Sequence, residues 1–285
     1  MWHGADYLRA HDLDVAVKAL SAGRWRILAG GTDLFPALQD RPLDGAVLDV
    51  SAIPELTRIT NDDQGWYIGA AVTWQDIVRA NLPAAFDGLK AAAREVGSIQ
   101  IQNRATLVGN LCNASPAADG VPPLLTLDAE VLLRSSFGAR QLPLGQFILG
   151  NRKTALAADE MVTGLFVPAA STTGQSGFYK LGARRYLVIS IGMVAARLVV
   201  DDAGIITDAA VAVGACSAVA MRLLDLEAAL RGCRVADAAT AVDAAYLADL
   251  TPIDDVRGSA VYRRQATTAA ITRLLGSNLA GGHPS

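Results

Sequence analysis

The chain has 285 residues, 52% of them hydrophobic and 19% charged, enough for a large buried core in two or three domains, which excludes a disordered chain. Twenty-five basic residues against twenty-eight acidic ones leave a net charge of −3 with no block of like charge, so neither nucleic acid nor an anionic membrane is an implied partner. Three cysteines (Cys112, Cys216, Cys233) without C-x-x-C spacing and three histidines do not supply the four thiolates an iron–sulfur cluster usually takes, so any redox metal belongs to another chain.

Charged residues from Asp6 to Asp14 interrupt any apolar run that would act as a signal peptide. The longest apolar stretch, Val188 to Val200, holds Arg197 and is shorter than the roughly 18 residues of a spanning helix, which places the chain in the cytoplasm. His11 or Asp12 caps a first helix with Gly23 as its C′ residue. A buried strand from Trp25 to Ala29 follows, then the turn "GGTDL", a strand from Ala46 to Val50 and a short helix at "IPEL". A second unit opens at Trp66 with the strand "WYIGA", a helix capped by Thr73 with Asp76 at its third position, and an Ala-rich helix ending at Gly97.

Residues 98–125 lack helical or strand periodicity and are rich in Asn, Ser, Gly and Pro, yet are too apolar for disorder; a long irregular stretch of this kind is where ligand contact is expected. Asp128 to Pro143 reads as a hairpin turning at "SSFGA", and Glu160 to Val167 as a further strand. "STTGQSG", Ser171 to Gly177, reads as a linker. Beyond it, Phe178–Leu181, Ile189–Val200 and Ile205–Val213 form an antiparallel meander, followed by Ala-rich helices over Val219–Leu250 and Val261–Leu275.

Two stretches carry chemistry. In "AGGTDL" a glycine pair lets the backbone approach an anion closely, though the same residues also make a plain tight turn. Neither a dinucleotide fingerprint nor a Walker pattern is present. "TLVGNLCNASPAAD" spaces Thr106, Gly109, Asn110, Asn113, Ser115 and Asp119 along one segment, donors and acceptors that suit phosphate and sugar hydroxyls or, equally, a loop that bonds to itself.

Together, "AGGTDL", "IQNRATLVGNLCNASPAADGVPPLLTLDAEV", "NRKTAL" at Asn151–Leu156 and "DDVRGSAVYRR" at Asp254–Arg264 resemble the FAD-binding subunit of the molybdenum hydroxylases, the xanthine dehydrogenase and carbon monoxide dehydrogenase medium-chain type. The resemblance implies an α+β fold. A two-subdomain FAD-binding domain related to vanillyl-alcohol oxidase would span residues 1–172, divided near residue 54, and a smaller domain with an antiparallel sheet would span 177–278. It implies that backbone groups of Ala29, Gly30, Gly31, Thr32 and Asp33 hold the pyrophosphate, with Leu34 also at the cofactor and Thr106, Val108, Gly109 and Asn110 bracketing it. Asn113, Ser115 and Asp119 would contact ribitol, phosphate or adenosine, Val162 would pack on the isoalloxazine, and Lys180 would lie near the ring. No histidine lies near either motif, so the flavin is expected to be non-covalent.

Three departures from the family pattern stand out: Val108 replaces a usual Gly, Ala105 replaces another, and Tyr186, Leu187 and Val188 stand where many members carry an acidic residue. Tyr186 is expected to fill core and Cys112 to be an inert small hydrophobe. By resemblance, the chain passes electrons from [2Fe–2S] clusters of a small partner, fed by a molybdopterin-binding large partner, through FAD to NAD⁺ or another acceptor in a heterotrimer. Alternatives are a stand-alone FAD reductase of the same fold and a flavin-free structural subunit.

Overall fold

A computed structural model describes residues 6–184, 189–277 and 279. Tyr186, Leu187 and Val188 lie outside the described residues, as do the first five. Asp12 Oδ1 accepts the amides of Asp14 and Val15 and so starts the helix Leu13–Ala22, which buries Leu13, Ala16, Val17 and Leu20. Gly23 ends it in extended backbone, not in the left-handed conformation its position predicts. Strands Tyr7–Arg9, Ala46–Asp49 and Trp25–Leu28 form a parallel sheet with Ala46–Asp49 at its centre.

The second unit is an antiparallel sheet of five strands in the order Ile59–Asn61, Gly65–Gly69, Met161–Pro168, Glu130–Ser135, Gly138–Pro143. Its register shifts between Val162 and Gly164, a bulge of the kind that redirects a side chain. Thr73 and Asp76 bond reciprocally at the start of the helix Trp74–Arg79. One continuous core unites the two units and includes Leu48, Ile68, Trp74, Phe86 and Leu107.

Residues 98–125 are more ordered than their composition predicts. They fold into the short helices Ile99–Gln102, Leu107–Asn113 and Val121–Thr126, each too brief to show a 3.6-residue period. The stretch read as a linker, Ser171–Gly177, is ordered at both ends: Ser171 is buried with its hydroxyl on Asp128 Oδ2 at 2.7 Å, and a strand begins at Gln175.

The C-terminal domain is the antiparallel sheet Gln175–Leu181, Gly192–Val200, Ile206–Gly214 and Met221–Arg222, covered by the helix Ala260–Ser277. Between sheet and helix the expected helical run is only partly α-helical, at Leu224–Leu230, and continues as 3₁₀ turns at Val235–Ala241 and Ala244–Leu247. From Leu230 onward the buried residues of this run are Leu230, Ala238, Leu247 and Leu250, spaced too unevenly for one helix face. The two domains meet closely where the helix Asp87–Glu95 lies on the strand Gln175–Leu181: a Cβ on Gly88 would come within 2.9 Å of the Gly177 carbonyl oxygen.

Candidate functional site

The Gly-Gly turn leaves the parallel sheet at Leu28 and lies directly on the second unit. A Cβ on Gly30 would sit 2.0 Å from the Arg104 carbonyl oxygen, so no side chain fits there, and Gly31 has φ +73°. Among the described residues the amides of residues 30–34 donate no backbone hydrogen bond. On the opposite side, Trp74 N bonds Ala105 O and Leu107 N bonds Val72 O, tying residues 105–107 to the five-stranded unit. Thr106 Oγ1 then accepts the Gly109 amide at 3.0 Å and starts the helix Leu107–Asn113.

Between the two segments lies a cavity of about 480 Å³. Of the residues singled out in the sequence, Ala29 through Leu34, Thr106, Val108, Gly109, Asn110, Asn113 and Val162 line it. Sequence reasoning missed Trp74, Val96, Ile101 and Leu156 on the same walls, because an apolar residue by itself reads as core. Ala105 and Val108 are buried in the wall, filling space that glycine would leave open.

Three of the residues singled out in the sequence, Ser115, Asp119 and Lys180, do not line this cavity. Ser115 Oγ accepts the Ala117 amide in a local turn and does not line the cavity. Asp119, 9% exposed, is paired with Lys180, whose Nζ donates to Asp119 Oδ2 at 3.0 Å and to Glu95 O at 3.4 Å. Burial raises the Asp119 carboxyl above its ordinary value, and the Lys180 ammonium offsets only part of that. The pair joins the two domains behind the cavity wall, as expected of a buried carboxylate that takes the nearest buried cation. The Asn110 side chain is also engaged, accepting the Gly120 amide at 3.1 Å and holding the start of the helix Val121–Thr126.

No lysine or arginine lines the cavity among the described residues; its ionisable side chains are Asp33 and Cys112. Cys112 is exposed where it lines the cavity, and the protein crowded around it pushes its thiol up to about 12. Among the described residues no group of three or more His, Cys, Asp or Glu is placed to hold a metal ion.

These features fit FAD. Open amides beside a glycine that tolerates no Cβ suit a diphosphate, the apolar walls from Ile27, Val96, Leu156 and Val162 suit a flat ring system, and the volume is that of a small-molecule site. No helix among the described residues is long and apolar enough to cross a membrane.

Comparison with known proteins agrees with the geometry. Residues 3–170 match the family described as the FAD binding domain in molybdopterin dehydrogenase, and residues 177–277 match the CO dehydrogenase flavoprotein C-terminal domain. The chain is 39% identical over 190 residues to the nicotinate dehydrogenase FAD-subunit of Eubacterium barkeri, a match covering 64% of this chain and 63% of that protein, a little under two thirds of its length. It is 32% identical over 257 residues to the nicotine 6-hydroxylase medium subunit of Paenarthrobacter nicotinovorans, covering 88% of each. A carbon monoxide dehydrogenase structure from Hydrogenophaga pseudoflava shares the fold, with a TM-score of 0.83 at 24% identity over 98% of both chains. A Gly-Gly turn docked on a second loop across an apolar-walled cavity, in a chain matched along nearly its whole length, identifies this protein as a member of the family of FAD-binding subunits of the molybdopterin dehydrogenases, oxidoreductases of the xanthine and carbon monoxide dehydrogenase type.

Proposed function

We propose that this chain holds FAD non-covalently in the cavity and relays electrons from [2Fe–2S] clusters of a small partner, reduced in turn by a molybdopterin-binding large partner, to NAD⁺ or another acceptor. The observation that carries the reading is the contact of Gly30 with the Arg104 carbonyl, which sets the open amides of the turn against an apolar-walled cavity. Bound there, FAD supplies chemistry that handles electrons singly or in pairs, while the protein supplies binding, orientation and exclusion of competing reactions. The proposed contacts are Ala29, Gly30, Gly31, Thr32, Asp33 and Leu34 on one side and Thr106, Val108, Gly109, Asn110, Asn113 and Val162 on the other. Ser115, Asp119 and Lys180 support them from behind. The FAD-binding domain is proposed to span residues 1–172, in subdomains of about 1–54 and 55–172, and the C-terminal domain 177–278.

The likeness to a protein named as the medium subunit of a hydroxylase supports the assembly with larger and smaller chains. The purified chain is expected to be yellow, and acid precipitation to release all of the flavin into the supernatant; flavin retained in the pellet contradicts non-covalent binding. Co-expression with the two partner subunits, followed by size exclusion, is expected to give one peak containing all three chains, in which substrate bleaches the flavin. Bleaching of the isolated chain at the same rate contradicts the relay.

A further inference from the structure

Asp33 occupies the N-cap position of the helix Leu34–Leu38 and yet does not cap it. A capping carboxylate bonds the second or third amide of its helix. Here the second, Phe35 N, already donates to Gly31 O at 3.1 Å, and the third residue is Pro36, which has no N–H. The carboxylate instead reaches across to the second unit, where Asn113 Nδ2 donates to Asp33 Oδ1 at 3.3 Å. At the other end of the same amide, Asn113 Oδ1 accepts a hydrogen bond from Arg152 Nη1. A guanidinium only donates and an ionised carboxylate only accepts, so the amide has a single orientation between them.

The backbone of Arg152 is held as firmly as its side chain. It sits in the left-handed region at φ +58°, in the turn between the strands Ile148–Gly150 and Lys153–Thr154. Its amide donates to Ala114 O at 2.8 Å, and Ala114 is itself left-handed at φ +46°. Three segments, 80 and 39 residues apart along the chain, thus meet at one amide on the cavity rim. Asp33 and Asn113 line the cavity, and Arg152 stands one side chain behind them. All three hydrogen-bonding groups face solvent, where such bonds add little to the stability of the fold.

We propose that Arg152 is a positioning residue for FAD: acting through Asn113 on Asp33, it fixes the Gly-Gly turn against the end of the helix Leu107–Asn113 and brings positive charge to a cavity whose lining carries none among the described residues. This rests on the FAD-binding reading above. It assigns a role to the "NRKTAL" stretch beyond the apolar wall that Leu156 supplies.

The test uses the full chain stripped of flavin and titrated with FAD, following the quenching of flavin fluorescence. Arg152→Ala and Asn113→Leu are each expected to raise the Kd about ten-fold, the size of one lost charge-assisted hydrogen bond. The double variant is expected to be no weaker than the weaker single, because both changes break one relay. Arg152→Lys, which still donates to Asn113, is expected to recover part of the loss. Thermal unfolding of the flavin-free variants is expected to match the wild type, which separates positioning from a folding defect; Asn113→Ser replaces Asn113→Leu if the latter does not fold. Wild-type affinity in Arg152→Ala, or losses that add in the double variant, overturns the relay. A wild-type chain that takes up no FAD overturns the binding reading and the relay with it.

Discussion

Gly30 carries a hydrogen where every other residue has a carbon, and the Arg104 carbonyl fills the place of that carbon at 2.0 Å. Gly30→Ala must therefore push the turn and the second loop apart. The expected cost is about 1–3 kcal/mol, as for overpacking elsewhere, with loss of flavin on purification. Gly145→Ala is the control: its Cβ would meet nothing closer than 3.9 Å on the exposed side of a short helix, so chemical denaturation should show unchanged or slightly raised stability. At the same scale, Asp49 links stability to pH. Burial alone would raise its carboxyl, but the Ser51 hydroxyl at 2.6 Å, the Tyr7 hydroxyl at 2.6 Å and the Ser51 amide hold it below its ordinary value of 3.8. A depressed folded value means that this contribution is complete above 3.8 and lost as pH falls through the folded value. Asp49→Asn should flatten the acid limb of stability against pH, measured as urea midpoints on either side of about pH 4.

Elements were legible where their signal is local. The Asp12 cap, the Thr73–Asp76 box and the alternation of Glu130–Ser135 each lie within a few residues and fold as they read. The short helices of residues 98–125 and the 3₁₀ turns beyond Leu230 were not legible, because each makes too few turns to establish a period and is ordered mainly by what it packs on. The helix Leu107–Asn113 shows this dependence: of its seven residues Leu107, Val108 and Leu111 are buried, and its start rests on the Thr106 hydroxyl. Thr106→Val keeps the shape and removes the cap. The expected loss is about 1 kcal/mol in denaturation, with faster release of flavin, since Gly109 and Asn113 lie on the same helix and line the cavity.

For the molecule as a whole, the two domains are joined through charged side chains of the C-terminal domain, Lys180 and Arg197 buried and Arg222 partly so. Arg197, 2% exposed, donates to Thr126 O at 2.8 Å and to Asp208 Oδ2 at 2.9 Å, Arg222 bonds Asp128 Oδ1 at 2.8 Å, and Lys180 pairs with Asp119. A buried pair gives little net stability, but removing one partner strands the other. Lys180→Met should therefore cost about 3–5 kcal/mol, while Lys180→Met combined with Asp119→Leu should recover most of it. A double-mutant cycle in denaturant measures the difference, and additive losses would show that the two groups do not interact.

The sequence by itself determined the α+β order of elements, the glycine turn, the paired loop "TLVGNLCN" and the family to which they belong, because glycine conformation, cap chemistry and short periodicities act within a few residues. Tertiary structure alone decided which groups those loops meet. Asp119, which reads in the sequence as a ligand contact, faces a lysine 61 residues away, and Arg152, which stands in the sequence only as part of the "NRKTAL" stretch, reaches the cavity rim through Asn113. Both pairings depend on how separate units dock. Docking is set by the summed burial of apolar faces, and no local stretch of sequence records it.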